Sequence, residues 1–107
     1  MTLSTHVLDT SVGRPAAGVA IRLETASDAG WLIVVTGHTD DDGRLASGWA
    51  PQLAAGVYRL VFDTGAYFGL HSFYPQVTVE FRVTDPHGHY HVPLLISPYG
   101  FTTYRGS

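Results

Sequence analysis

The sequence predicts an all-β fold, a two-sheet sandwich of seven or eight short strands with one short helix. Three observations carry this. Apolar and polar residues alternate at period two in one segment after another, which is the pattern of half-buried strands. Clusters of Gly, Pro, Asp and Ser separate those segments at short intervals, the spacing expected of a sandwich. Only one stretch, near Ala66 to His71, suits a helix.

The segments follow in order. Leu3 to Leu8 opens the set. Val19, Ile21 and Leu23 alternate with Ala20, Arg22 and Glu24, a half-buried strand. Trp31 to Thr36 is a continuous apolar, β-branched run. Tyr58, Leu60 and Phe62 alternate with Val57, Arg59 and Val61, and Val77, Val79, Phe81 and Val83 with Thr78, Glu80, Arg82 and Thr84. Tyr90, Val92, Leu94 and Ile96 form one face of a further strand, and Thr102 to Arg105 the last. Between them stand Val12-Gly13-Arg14-Pro15, Asp40-Asp41-Asp42-Gly43, Pro86-His87-Gly88 and Ser97-Pro98-Tyr99-Gly100, all strong turn signals.

A chain of 107 residues fits one domain, residues 1–107. Its apolar content is 45% and its charged content 14%, well under the usual quarter, so an oligomer is expected to cover apolar surface. A net charge of −3, with six Arg and no Lys, argues against a nucleic-acid or anionic-membrane binder. Having no Cys excludes disulfides, thiolate metal sites and a Cys nucleophile. Met1 to His6 lacks a basic region followed by a long apolar run, and Trp31 to Val35 is far too short to span a bilayer. A cytoplasmic protein is the expectation.

The last turn permits a sharper reading. Ser97-Pro98-Tyr99-Gly100 suits a type I turn, with Pro second and Gly fourth. If it closes a hairpin, Ile96 faces Phe101, Pro93 faces Tyr104 and His91 faces Gly106. Opposed residues share a sheet face. His89, His91, Pro93, Tyr104 and Gly106 then project from one face, and Tyr90, Val92, Leu94 and Ile96 from the core face. The histidines point away from the core, and Gly106 leaves space beside His91.

Several side chains on this plan could carry chemistry. His87, His89 and His91 recur at period two. A His-x-His pair can ligate zinc, but no Cys or neighbouring acidic ligand completes a set, so a polar face of histidines is the preferred reading. His6 lies in the opening strand, either as a hydrogen-bonded structural group or as a second acid or base titrating near neutral pH. The Asp40–Gly43 run lacks the rest of a calcium loop and reads as a solvated turn. Arg44 either pairs with those aspartates or starts a strand and offers its planar fork to a carbonyl or anion. Ser107 lies in no nucleophile elbow and, with its carboxylate, suits hydrogen bonding. Arg105 reads as an anchor for the tail.

Taken together, Ser4-Thr5-His6-Val7-Leu8-Asp9, Gly13-Arg14-Pro15-Ala16, Thr39-Asp40-Asp41-Asp42-Gly43-Arg44, His89-Tyr90-His91-Val92-Pro93-Leu94-Leu95, Ser97-Pro98-Tyr99-Gly100 and the final Tyr104-Arg105-Gly106-Ser107 resemble the 5-hydroxyisourate hydrolases, the transthyretin-related enzymes of urate breakdown. The resemblance spans essentially the whole chain, and the final tetrapeptide is that family's signature. It implies a prealbumin-like sandwich, a homotetramer with active sites in a channel between dimers, and no cofactor or metal. Its catalytic residues fall on His6, Arg44 and His91. Its substrate-binding residues fall on His6, Arg44, Tyr104 and Ser107. The implied reaction converts 5-hydroxyisourate to 2-oxo-4-hydroxy-4-carboxy-5-ureidoimidazoline, by His-assisted attack of water on a cyclic amide. The segment between Thr64 and Pro75 is shorter than the family's usual one, so a clipped helix or loop is expected there. The contrasting expectation is a transthyretin-like carrier of a small aromatic ligand in an intersubunit channel. A purely structural sandwich module would have no use for the tail.

Overall fold

A computed structural model describes residues 1–107. In chain order the elements are β1 (Thr2–Asp9), β2 (Arg14–Pro15), β3 (Ala20–Ser27), β4 (Gly30–His38), β5 (Arg44–Leu45), β6 (Gly56–Phe62), α1 (Thr64–Phe68), a 3-10 turn (Gly69–His71), β7 (Val77–Val83), β8 (His89–His91), β9 (Leu94–Ser97) and β10 (Gly100–Thr103). They form two sheets. One runs β10-β9-β1-β2, with β5 and β8 also paired to β1; the other runs β4-β3-β6-β7. β1 pairs in parallel with β8 and β9, and every other pairing is antiparallel.

The core is the sum of the predicted inward faces. Leu3 and Val7 of β1, Ile21 and Leu23 of β3, Leu60 and Phe62 of β6, and Leu94 and Ile96 of β9 are all buried. Each fully buried Leu, Ile or Phe contributes roughly 2 kcal/mol. Tyr90 and Val92 lie in the same core, as the hairpin register requires. That register is observed: Phe101 faces Ile96, Gly100 faces Ser97, and an isolated bridge joins His91 to Gly106.

The expected strand from Tyr90 to Ile96 is interrupted. Val92 and Pro93 separate β8 from β9, because Pro93 has no N–H for the ladder. The buried Thr5 hydroxyl donates to the Val92 carbonyl at 2.6 Å, and Thr103 Oγ1 to the Pro93 carbonyl at 2.8 Å. The offset between β1 and its partner is the same on both sides of the break, since Thr2 faces His89 and Val7 faces Leu94. Faces are therefore kept through the interruption.

Two features depart from the simple pattern. Glu24 is on the outer face of β3 yet buried. The ladder to β4 slips between Leu23 and Glu24. Arg22 and Arg59 close over the carboxylate at 2.7 and 2.5 Å, and the Arg59 guanidinium lies 4.3 Å from the Trp31 ring centre. Burial opposes its charge, but the hydrogen bonds and charges of the two arginines outweigh it and hold its carboxyl below the usual value. The helix also begins earlier than expected, at Thr64, because Asp63 Oδ1 accepts the Ala66 N–H at 3.0 Å and caps it. Tyr67 ties this short helix to β1 by donating to Asp9 Oδ2 at 3.0 Å. The apolar run in β4 forms an edge strand whose Leu32 and Ile33 are 54% and 62% exposed.

Candidate active site

β1 runs through the middle of the site. Its inward residues are Leu3, Thr5 and Val7, so Thr2, Ser4 and His6 share its outer face. On one side of β1, Arg44 of β5 pairs directly with His6. On the other, His91 of β8 pairs with Ser4 and His89 with Thr2. Strand spacing places the Cα of His6 roughly 7–8 Å from that of His91 on the diagonal. The three residues expected to be catalytic, His6, Arg44 and His91, are thus brought onto one outer face from three strands.

The acidic turn delivers Arg44. Asp40 Oδ1 accepts the backbone N–H of Asp42 and of Arg44, each at 2.9 Å, closing an Asx turn. Gly43 has φ +73°, and a Cβ there would overlap the Val7 carbonyl oxygen. Only glycine meets both conditions. Val7 N–H then donates to the Gly43 carbonyl at 2.7 Å, which ties the turn to β1. Asp40 uses its carboxylate on backbone, and the Arg44 guanidinium has no carboxylate partner; the ion pairs in the chain are those of Glu24. Arg44 thus starts β5 and does not pair with the aspartates.

His91 is half-buried, and Ser4 Oγ meets its Nδ1 at 2.8 Å. Burial, followed by the charge of Arg44 and, to a smaller extent, those of His6 and His89, holds its pKa below the usual histidine value against an opposing hydrogen bond to the Ser4 backbone. An imidazole so placed is neutral at neutral pH and able to accept a proton. His89 is engaged on both nitrogens, by Thr2 Oγ1 at 2.5 Å and by Ser4 Oγ at 3.5 Å. No three His, Asp or Glu side chains converge as a metal-binding group.

The tail closes on His91. Gly106 N–H donates to the His91 carbonyl at 2.8 Å. A Cβ on Gly106 would overlap His91 Cδ2, so the glycine lets the backbone lie against the imidazole. Arg105 turns back with its guanidinium 4.7 Å from the Tyr90 ring centre, which anchors the tail. Tyr104 is 59% exposed and shares with His91, Glu80, Arg82 and Arg105 a cavity of about 330 Å³ between β7 and the tail. Ser107 is exposed and makes no hydrogen bond. The chain by itself therefore assembles His6, Arg44 and His91, whereas Tyr104 and Ser107 hold no hydrogen bond to them. Ser4 and Thr2 are additional polar residues on this face. Their period-two spacing with His6 was the available signal.

The model of the HIUase/Transthyretin family matches residues 3–106. A 5-hydroxyisourate hydrolase from Salmonella dublin is 50% identical over 109 residues, covering 98% of this chain and 80% of that protein. The solved structure of Klebsiella pneumoniae 5-hydroxyisourate hydrolase superposes with a TM-score of 0.85 at 41% identity, over 100% of both chains. Transthyretin from Sparus aurata superposes with a TM-score of 0.90 at 35% identity, over 98% of this chain and 96% of that one. Backbone shape is thus shared by a hydrolase and by transthyretin. What separates them must be sought in side chains.

Proposed function

Because this chain belongs to the HIUase/Transthyretin family, we propose that it is a 5-hydroxyisourate hydrolase. The observation that carries the reading is the face on which an Arg44 guanidinium without a carboxylate partner stands beside His6 and His91. A carrier needs a pocket of the right shape and has no use for a neutral imidazole next to a free guanidinium.

The reaction opens a cyclic amide with water and yields 2-oxo-4-hydroxy-4-carboxy-5-ureidoimidazoline, a step of urate breakdown. Water is a poor nucleophile, an amide nitrogen is a poor leaving group, and the tetrahedral intermediate carries an oxyanion. His91, depressed in pKa by burial and by Arg44, takes the proton from water. Arg44 binds the substrate carbonyls and stabilises the oxyanion. His6 returns a proton to the leaving ring nitrogen, completing the hydrolysis without an acyl-enzyme. Tyr104 and Ser107 orient the ring. No step draws on a cofactor or metal.

The same proposal includes assembly as a homotetramer, with the outer face of β1 lining an intersubunit channel. The support is apolar exposure: Phe73, Tyr74, Phe101 and Tyr99 are 67%, 40%, 42% and 74% exposed, and Tyr74 packs edge-on against both Phe73 and Phe101. A patch of that kind marks an interaction surface. Residues 1–107 act as a single hydrolase domain, and a cytoplasmic location is part of the reading. No helix is long and apolar enough to cross a membrane.

The test is direct. Generating 5-hydroxyisourate from urate in situ and following its ultraviolet decay should show acceleration by the protein, and His91→Asn should remove most of it. Decay at the spontaneous rate in the presence of wild-type protein would overturn the hydrolase reading, and tight binding of the compound without turnover would favour a carrier.

A further inference from the structure

Beyond His6, Arg44 and His91, the outer face holds an ordered file of hydroxyls and imidazoles. Thr2 and Ser4 of β1 stand opposite His89 and His91 of β8 in register. Thr2 Oγ1 meets His89 Nδ1 at 2.5 Å, His89 Nε2 meets Ser4 Oγ at 3.5 Å, and Ser4 Oγ meets His91 Nδ1 at 2.8 Å. Each ring nitrogen in the file has a partner except His91 Nε2. We propose that Ser4, backed by His89 and Thr2, is a positioning residue that holds the His91 proton on Nδ1 and leaves the Nε2 lone pair open to the site.

Two hydrogen arrangements run in one direction along such a file, and they differ in the His91 tautomer. In one, His91 Nδ1–H donates to Ser4, Ser4 O–H donates to His89 Nε2, and His89 Nδ1–H donates to Thr2. In the other, every donor and acceptor is reversed and His91 carries its proton on Nε2. The environment separates them. The groups facing His91 are Arg44 on β5, His6 and Ser4 on β1, His89 on its own strand, the Gly106 backbone of the tail and, across the cavity, Glu80 and Arg82 of β7 with Tyr104 and Arg105. With Nδ1 taken by Ser4, Nε2 is the ring nitrogen left without a partner, and the Arg44 charge acts on this ring. A guanidinium nearby favours an electron-rich lone pair over an N–H dipole of the same sign. The first arrangement wins, and it is the one in which His91 can take a proton from water.

This rests on the hydrolase reading for its catalytic meaning, but the tautomer itself does not. Ser4 also resembles half of a serine–histidine pair. Its oxygen lies between two imidazoles and meets His91 at Nδ1, whereas a serine nucleophile is served by Nε2 while Nδ1 binds an orienting group.

The experiment has two arms. In the first, the full chain labelled with 15N-histidine is examined by NMR without substrate, with His91 assigned by its loss in His91→Asn. A protonated Nδ1 and a bare Nε2 are expected in the wild type, with reversion toward the Nε2–H form in Ser4→Ala. A wild-type His91 protonated on Nε2 would overturn the proposal whether or not the protein is a hydrolase. In the second, Ser4→Ala should lower kcat about tenfold with KM nearly unchanged, and Ser4→Thr should restore it. His89→Asn, which removes the next link, should lower kcat less. Unchanged kcat in Ser4→Ala, or a covalent adduct trapped on Ser4, would also overturn it. Failure of the wild type to hydrolyse 5-hydroxyisourate would remove the hydrolase reading and leave the NMR arm intact.

Discussion

Replacing Gly106 with alanine should disable the site and leave the sandwich intact. The new Cβ would overlap His91 Cδ2 and lie 3.2 Å from Cγ and 3.4 Å from Cβ of the same side chain. Gly106 is not among the glycines with positive φ, so its backbone accepts alanine without strain. The tail cannot easily retreat, because the Gly106 amide is bound to the His91 carbonyl at 2.8 Å and Arg105 is stacked on Tyr90. The ring must therefore turn, and the 2.8 Å contact from Nδ1 to Ser4 goes with it. Losing one such hydrogen bond near the surface costs about 1 kcal/mol of stability. The catalytic cost is larger, because a displacement of about 1 Å in a reacting group lowers turnover on the order of 100-fold. The assay is the in situ decay of 5-hydroxyisourate, run beside a urea melt of the same variant. Gly100→Ala is the control, since its Cβ would meet only Ser97 Oγ at 3.7 Å. If Gly106→Ala turned over within about twofold of wild type, the packing of the tail on His91 would have no catalytic meaning.

Other variants probe other links. Arg44→Gln should lower kcat by roughly 100- to 1,000-fold, as loss of an oxyanion-stabilising donor does, and Arg44→Lys should recover little of it because an ammonium lacks the planar fork. Since the Arg44 charge helps depress His91, the same Arg44→Gln protein should show a His91 titration by NMR moved upward; a downward move would contradict the assigned proximity. Glu24 has a folded pKa below its unfolded value of 4.5, so its contribution is complete above that pH and is lost as pH falls through the folded value. Glu24→Gln should cost about 2 kcal/mol near neutrality and lose less stability than wild type on acidification; parallel acid unfolding curves would refute this. Tyr67→Phe removes the bond to Asp9 and should cost about 1 kcal/mol in denaturant melts without changing kcat, which separates helix anchoring from catalysis.

Much of the architecture was legible because it is local. Period-two alternation decides which side of a strand meets the core, and a Pro-x-Gly turn decides how the final hairpin pairs. Those two rules put Tyr90, Val92, Leu94 and Ile96 inside and Gly106 opposite His91, as observed. Motif positions also single out His6, Arg44 and His91. The break at Pro93 could have been anticipated from its missing N–H; the buried state of Glu24 could not, because it follows from a register slip and from Arg59, 35 residues away in sequence.

The class of fold and the faces of the strands are encoded along the chain, since each follows from sequence neighbours, and the same local motifs name the candidate site residues. Only the tertiary structure decided how those residues meet. Ser4 finds His91 across a parallel pairing 87 positions apart. The Asp40 turn occupies its carboxylate with backbone and leaves the Arg44 guanidinium without one. Parallel pairing and charge compensation are set by which distant strands share a sheet, and no local period encodes that choice.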